Sequence, residues 1–539
     1  MNPDVEVPVL IAGGGLVGLS MATFLAQHGV SSLAVERLRG GSPLPRAGHF
    51  HLRTLEVFRA AGLEGEIKRR SEEDFVPEGA IIAMDNLSGR KLADIIPSLN
   101  EGVEPVSPCR RLFINQPSLE KILRTQAATV GARVLEGHEL IGFEQDADGV
   151  TVTVQDVDSG AKRTLRARYL IDAGGAHSKV REGLGIPYDG RGIFSHSMTI
   201  YFRADLGPLL LGKPLSVIYF NNPVFGGFMR MEKSCQQGFI GVNIVGDPHK
   251  DPAKATNAAA DISEPTLIHY VRTAAGVPDL PVKIIGCTRW RATSDVARRY
   301  QDGRIFLIGD AAHLMPPNGG FGGNTGIHDA HNLAWKLACV LKGAAQPGLL
   351  DSYEAERKPV GKFTVEQAYT RYVTRTATYL HKTDYEPLVD DFNIEIGYLY
   401  HSRAIMSDDG DSRVHDDPRT TTGCPGSRAP HLWLDRGGRK VSTLDLFGRS
   451  FVLLTGPAGE SWRAAARTVA GRVPKLGLEA HGIGTAAVGD PEREFAGAFG
   501  LSESGTVLVR PDGFVAWRSK ALPDDPQAAL TAVLQRILH

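Results

Sequence analysis

The sequence predicts an α/β protein with a sheet-rich insertion, on three observations. Apolar runs at Val7 to Ala12, Leu33 to Val35 and Ile305 to Ile308 are short enough to be buried strands, and each ends on a glycine or an acid. Helical spacing follows the first and third runs, from Leu16 and from Ile327. Between Tyr188 and Arg289 that spacing fades and alternating residues take over, which reads as an antiparallel sheet.

The first run leads into Gly13-Gly14-Gly15-Leu16-Val17-Gly18, with Gly13, Gly15 and Gly18 at GxGxxG spacing. A helix then carries Leu19, Ala22 and Ala26 and stops near Gly29, and Glu36 ends the next strand eighteen residues after Gly18. Strand, glycine turn, helix, strand and acid in that order predict a dinucleotide site. The glycines allow a tight turn against a pyrophosphate, and Glu36 can bind ribose hydroxyls. Arg37 stands beside it. This motif does not separate FAD from NAD.

Pro45-Arg46-Ala47-Gly48 follows, then His49, Phe50 and His51. Thr54 is expected to cap a helix carrying Leu55, Phe58 and Leu63, leaving Arg46 free to reach a phosphate. His49 and His51 lack metal-pair spacing and an acid to complete a site, so no metal is expected. A helix begins at Gln116-Pro117, and strands follow at Leu140 to Phe143, Val150 to Val154 and Leu165 to Ile171. Ser178 and Arg181 either face phosphates or merely cap and stay solvated.

The sheet segment is expected at Met198 to Phe202, Val217 to Phe220, Phe225 to Met231, Phe239 to Val245 and Lys283 to Cys287. Tyr219, Phe220, Phe225, Phe228, Met229 and Met231 are its candidates for lining an apolar pocket. After Ile305 to Ile308 come Gly309 and Asp310, placing a carboxylate where parallel sheets hold ligands. The loop Pro316, Pro317, Gly319, Gly320, Gly322, Gly323 lets backbone approach a flat ligand. Asn324 and Thr325 are expected to cap the next helix, whose positive end would suit the anionic edge of a reduced flavin. Leu349 to about Asp409 reads as mostly helical, Thr420 onward as a linker, and the remainder as a small α/β unit ending in a helix with Leu530, Val533, Leu534, Ile537 and Leu538 inward.

Length predicts about three or four domains. A formal net charge of −1, with no long single-sign run, argues against a nucleic-acid or anionic-membrane partner. No apolar run reaches transmembrane length, and the N-terminus lacks signal-peptide character. Cys109, Cys235, Cys287, Cys339 and Cys424 are too scattered for a metal or redox pair, which fits a reducing, cytoplasmic setting. There is no internal repeat. The oligomeric state is open, with a homodimer allowed.

Together, GGGLVG from Gly13, Glu36, PRAG from Pro45, Gln116, GDAAHLMPPNGGFGGN from Gly309, YEAERKPVG from Tyr353, PGSRAPHLWL from Pro425 and RPDGFVAW from Arg510 resemble the single-component flavoprotein aromatic hydroxylases. The likeness is to the phenol hydroxylase and aromatic polyketide hydroxylase branch and covers nearly the whole chain. It implies a Rossmann-like FAD-binding domain of para-hydroxybenzoate hydroxylase type at 1–187 and 290–410. It also implies an antiparallel-sheet substrate domain at 188–289 and a thioredoxin-like domain at 411–539.

By the same resemblance, FAD's adenosine end lies on the first glycine turn. Arg46, Gln116 and Asp310 meet its pyrophosphate and ribityl chain, and the loop Pro316 to Asn324, with Pro317, Gly320, Gly322 and Gly323, meets its ring. The resemblance implies hydroxylation of a large, mostly apolar phenolic or polyketide ring by NADH or NADPH and O₂, through a flavin hydroperoxide. Tyr219, His49 and His51 are candidates for phenol activation, and Phe228, Met229 and Pro316 for substrate contact. Arg230 lies in the same segment, in a register the sequence does not fix. Gly174-Gly175 stands where the family has Asp-Gly, and Asp172 lies two residues earlier. Baeyer–Villiger oxidation or epoxidation by the same cofactor remains an alternative. An NAD-dependent dehydrogenase or a flavin-bound scaffold are more distant ones.

Overall fold

The computed structural model describes residues 5–44, 46, 48–243, 261–377, 382–407 and 410–539. Pro45, Ala47, Val245, the alanine-rich stretch Ala253 to Ala260 and Asp409 lie outside the described residues.

Five parallel strands form the nucleotide-binding sheet, in the order Ile305–Leu307, Lys162–Asp172, Val5–Ala12, Ser32–Glu36, Arg133–Glu136. Their side chains are buried on both faces, as parallel strands require: Val9, Leu10, Ile11, Leu170, Ile171, Ile305 and Phe306 are all inaccessible. The carboxyl ends share one edge. Gly13, Gly174 and Asp310 therefore emerge side by side, because Ala12 pairs with Asp172 and Asp172 with Leu307. A meander of His138–Gln145, Val150–Asp156 and the first half of Lys162–Asp172 flanks this sheet.

Helices Leu16–Gln27 and Phe321–Leu341 pack against each other over one face. The second is buried nearly all round, so its polar residues need partners. Asp329 is bonded by the Arg357 guanidinium and His313, and Lys336 by Glu356.

The second large sheet runs His313–Leu314, Lys283–Ala297, Tyr188–Arg203, Gln237–Val242, Gly226–Met231, Leu215–Asn221, Ala80–Met84, Lys91–Ile96. The last two strands precede residue 188. Part of the segment expected to be wholly nucleotide-binding thus extends the platform. The helix Glu264–Ala275, which the sequence reading did not anticipate, covers the platform's back with Leu267, Tyr270, Val271 and Ala274.

Three further elements differ from expectation. Helix Leu52–Ala60 begins before Thr54, with His51 at its cap. Helix Phe321–Leu341 starts from Gly320 in the left-handed region, so Asn324 and Thr325 sit inside its first turns rather than at a cap. After Leu349 the chain is helical at Asp351–Arg371 and in a π-turn at Tyr372–Thr376, and among the described residues that follow it is largely irregular apart from Asp391–Glu395.

The C-terminal unit has the thioredoxin-like strand order Leu478–Gly482, Phe451–Thr455, Thr506–Val509, Val515–Ser519, the first pair parallel and the others antiparallel. Its Pro511-Asp512-Gly513 turn reaches the first domain. Asp512 accepts from Trp335 Nε1 at 3.1 Å, and its carbonyl accepts from the Arg53 guanidinium.

Candidate active site

A continuous cavity of about 2020 Å³ runs from the carboxyl edge of the parallel sheet to the face of the platform. That is about twice the upper end for a single small-ligand pocket, so it has room for a cofactor and a substrate together. Gly13, Gly15, Leu16, Val17, Glu36 and Arg37 line one end. Arg46, Gln116 and Asp310 line the middle. His49, His51, Pro316, Pro317, Gly320, Gly322 and Gly323 line the approach to the platform, where Tyr219 and Phe228 face inward.

At the first end, Gly13 has φ +104°, and a Cβ there would lie 2.4 Å from the Ala173 carbonyl oxygen. The turn is therefore closed to other residues and leaves the start of Leu16–Gln27 open. Glu36 accepts from Gly14 N at 2.7 Å and Leu38 N at 2.8 Å, so its carboxylate also shapes the turn. Buried Glu120, a residue the sequence reading missed, accepts from Leu16 N at 3.1 Å and from Gln116 Nε2 at 2.7 Å. Gly18 does not line the cavity. A Cβ on it would lie 1.9 Å from Gly13 O, so its role is to let helix and turn close together.

Asp310 opens onto the cavity from a turn made at Gly309. Asp329 fixes that turn, accepting from Gly309 N at 3.0 Å while bonding His313 at 2.8 Å and Arg357 at 2.7 Å. Burial raises the Asp310 carboxyl, and His313 and Arg46 oppose the rise. Asp172 beside it is pushed up to about 6 by burial, and bonds Gly174 N and the Ser178 hydroxyl. Ser178 caps Lys179–Gly183, and Arg181 lies over the Tyr188 ring at 4.2 Å, so both serve packing.

Asn324 does not line the cavity, contrary to expectation. It ties the histidine segment to the glycine loop, donating to His49 O at 2.9 Å and Gly320 O at 2.7 Å. It accepts from His51 N at 3.0 Å and the Thr54 hydroxyl at 2.7 Å. His49 stacks on Phe113 with centroids 4.6 Å apart and meets the His51 ring edge-on. Burial lowers both imidazoles, so they are neutral. His51 Nε2 lies 2.9 Å from Gly319 O; a carbonyl only accepts, so that nitrogen carries the proton. Burial raises the Tyr219 phenol, leaving it protonated.

Met229 is corrected to the core. It is inaccessible and packs with Ile218, Ile240 and Tyr270 behind the platform, whereas Phe228 and Arg230 face the cavity. The strand's two-residue alternation decides this. Met229→Ala is therefore expected to lower unfolding free energy by about 2–5 kcal/mol, with substrate KM unchanged. Phe228→Ala should do the reverse, and denaturant melts with steady-state kinetics separate the two. Beyond Arg230, the sequence reading missed Arg111, Arg371, Arg375, Asp391 and Glu395, all of which line the cavity. The spacing of Arg371 and Arg375, one helical turn apart, was the available signal.

Two helix starts, at Leu16 and Phe321, follow the glycines Gly15 and Gly320 and face opposite ends of one cavity, with Glu120 accepting from Leu16 N at the first. Such starts hold anionic groups, and FAD has two: a pyrophosphate and the pyrimidine edge of its reduced ring. The residues present fit that cofactor. Fold and cavity together define a two-domain nucleotide-binding oxidoreductase with a third, thioredoxin-like unit.

The FAD binding domain family matches residues 6–368, and the aromatic-ring hydroxylase C-terminal family matches 422–539. A 4-methyl-5-nitrocatechol 5-monooxygenase from Burkholderia sp is 50% identical, covering 99% of this chain and 98% of that protein. A tetracenomycin A2 monooxygenase-dioxygenase from Streptomyces glaucescens is 40% identical, over 99% and 97%. The solved structure of aklavinone-11 hydroxylase with FAD and aklavinone superposes with TM-score 0.93 at 35% identity, covering 100% of both chains. The chain belongs to the FAD-dependent aromatic-ring hydroxylase family, and it is a flavoprotein monooxygenase of that family.

Proposed function

We propose that this chain uses NADH or NADPH and O₂ to hydroxylate a phenolic ring bound between Tyr219, Phe228 and the Pro316 loop. The carrying observation is the cavity that joins the helix starts after Gly15 and Gly320 to the platform. The reaction balances as ArH + NAD(P)H + H⁺ + O₂ → ArOH + NAD(P)⁺ + H₂O. Bound FAD supplies the redox chemistry. Gly13 to Val17 and Glu36 would hold its adenosine end, Arg46, Gln116 and Asp310 its middle, and the 316–323 loop its ring.

The protein's own work is placement. The neutral His49 and His51, packed on Phe113 and Phe321, screen the ring from water. Tyr219, protonated, can donate to a substrate oxygen and help it lose its proton. The need for reduced nicotinamide places the enzyme in the cytoplasm. The test is substrate-stimulated NAD(P)H consumption against a panel of catechols and polycyclic phenols, with mass detection of the product. One added oxygen on a ring carbon is expected. Oxygen inserted into a C–C bond would establish Baeyer–Villiger chemistry instead, and no stimulation across the panel would overturn the proposal.

A further inference from the structure

The cavity reaches solvent at both edges of the platform. At one edge, His196, Arg289 and Arg291 line it and are exposed, on strands Tyr188–Arg203 and Lys283–Ala297. At the other, Pro97 and Glu101 line it and are exposed, just after strand Lys91–Ile96. Asp390, also exposed and lining, belongs to this second end, since a Cβ on Gly102 would lie 3.9 Å from the ring of nearby Phe392. Five strands separate Lys283–Ala297 from Lys91–Ile96 in the sheet order. Six strand spacings therefore put the two edges roughly 29 Å apart. The loop proposed to meet the flavin ring follows His313–Leu314, beside the first edge, whereas Tyr219 sits on a strand two places from the second.

The second opening has a built frame. Arg111 joins its two sides: Nε donates to Glu395 in helix Asp391–Glu395 at 2.8 Å, and Nη1 donates to Leu99 O at 2.9 Å. Asn100 adds two bonds to the Arg111 backbone, donating to its carbonyl at 3.1 Å and accepting from its N–H at 2.7 Å. On the helix side, Arg371 holds Asp391 at 2.6 Å. Phe392 lines the passage, with the Arg111 guanidinium carbon 4.6 Å from its ring centre. A frame cross-braced by buried charged hydrogen bonds stays open without a moving lid. Charge also separates the two ends. Arg289 and Arg291 at the first suit the phosphates of a dinucleotide, while Glu101 and Asp390 at the second repel them, with Arg419 3.4 Å from Asp390.

We propose that the aromatic substrate enters, and its product leaves, through the Arg111-framed opening at the Lys91–Ile96 edge, while the reduced nicotinamide dinucleotide docks at the opposite edge. The two co-substrates then reach the flavin from different sides, and neither has to leave before the other arrives. This rests on the reading of the cavity as the site of a monooxygenase acting on aromatic rings.

The test narrows each opening in turn with a tryptophan, in the FAD-loaded protein. Ser98→Trp and Glu101→Trp lie at the second opening, His196→Trp and Arg289→Trp at the first. Rapid mixing with 4-methylcatechol and with 2-naphthol, without NAD(P)H, gives association and dissociation rates from the flavin absorbance. A route differs from a binding contact in its kinetics, because narrowing a passage slows entry and exit alike and leaves the equilibrium in place. Ser98→Trp and Glu101→Trp should lower both rates about tenfold or more, with Kd changed by less than about twofold. The wider 2-naphthol should be slowed more than 4-methylcatechol. His196→Trp and Arg289→Trp should instead slow reduction of the flavin by NAD(P)H.

Wild-type association rates in both Ser98→Trp and Glu101→Trp overturn the proposal. So does a loss of affinity with association unchanged, which would make these residues contacts rather than a passage. Should one of the two variants fail to fold, the other decides. Turnover with association slowed only by the first-opening variants would sink the separate route and leave the monooxygenase reading standing. Rates slowed as expected with no NAD(P)H consumption would do the opposite, and failure of the wild type to bind either ring would sink both.

Discussion

Asp310→Ala is expected to purify with little flavin, and Asp310→Asn with an intermediate amount. The carboxylate stands at the end of Ile305–Leu307 on a turn that Asp329, His313 and Arg357 hold from behind. It is therefore presented to the cavity without needing to be ordered on binding. A hydrogen bond involving a charged group is worth about 1.5–3 kcal/mol, so its loss should weaken FAD binding roughly 10- to 150-fold. Asparagine keeps an acceptor and loses the charge, hence the graded result. Flavin absorbance per chain and FAD titration of the stripped protein measure both. Full flavin content and unaltered affinity in Asp310→Ala would show that the carboxylate does not touch the cofactor.

The second large effect lies away from the cavity, at Glu356. This fully buried carboxylate accepts from Arg510 at 2.6 and 2.9 Å, Lys336 at 2.8 Å, Asn332 at 2.7 Å and Ser402 at 2.7 Å. Glu356→Ala leaves buried Lys336 without its acid and Arg510 with Asp512 alone, and should cost about 3–5 kcal/mol. Burial alone would raise its carboxyl, but Arg510 and Lys336 outweigh that and hold it well below the carboxylate range. A group depressed in the folded state contributes its full stability above its unfolded value, about 4.3, and loses it as pH falls further. Wild-type stability should therefore drop from about pH 5 downward, and Glu356→Gln should give a lower but flatter curve. Denaturant midpoints across that range provide the check. An acid limb equally steep in the glutamine variant would assign the loss to other carboxylates.

What the sequence disclosed follows from how local each signal is. Gly13 to Gly18, Glu36 and the stretch from Gly309 carry their conformations in their own residue types, and the structure brings them to one cavity. Strands Ala80–Met84 and Lys91–Ile96 were not legible as part of the platform, because their partner Leu215–Asn221 is far along the chain and pairing leaves no local mark. Met229 was misplaced for want of a register, which one cavity-facing neighbour would have fixed. The starts of Leu52–Ala60 and Phe321–Leu341 were misjudged because Thr54 and Asn324 have capping chemistry yet use it on each other. Arg371, Arg375 and Asp391 were missed because a charged residue normally reads as surface, and only tertiary folding turns these toward the cavity.

The Pro511-Asp512-Gly513 turn, bonded to Trp335 and Arg53, bears on biogenesis. A nascent polypeptide halted before Arg510 already contains every flavin contact proposed above, yet Glu356 still awaits its second counter-ion. The helix that begins beside the proposed flavin-ring site is thus anchored underneath by residues far along the chain from every proposed flavin contact. Firm cofactor loading is expected to wait until this turn has been synthesised. Ribosome-bound intermediates stalled before and after this turn would report that order through their flavin fluorescence, and equal loading in both would refute it.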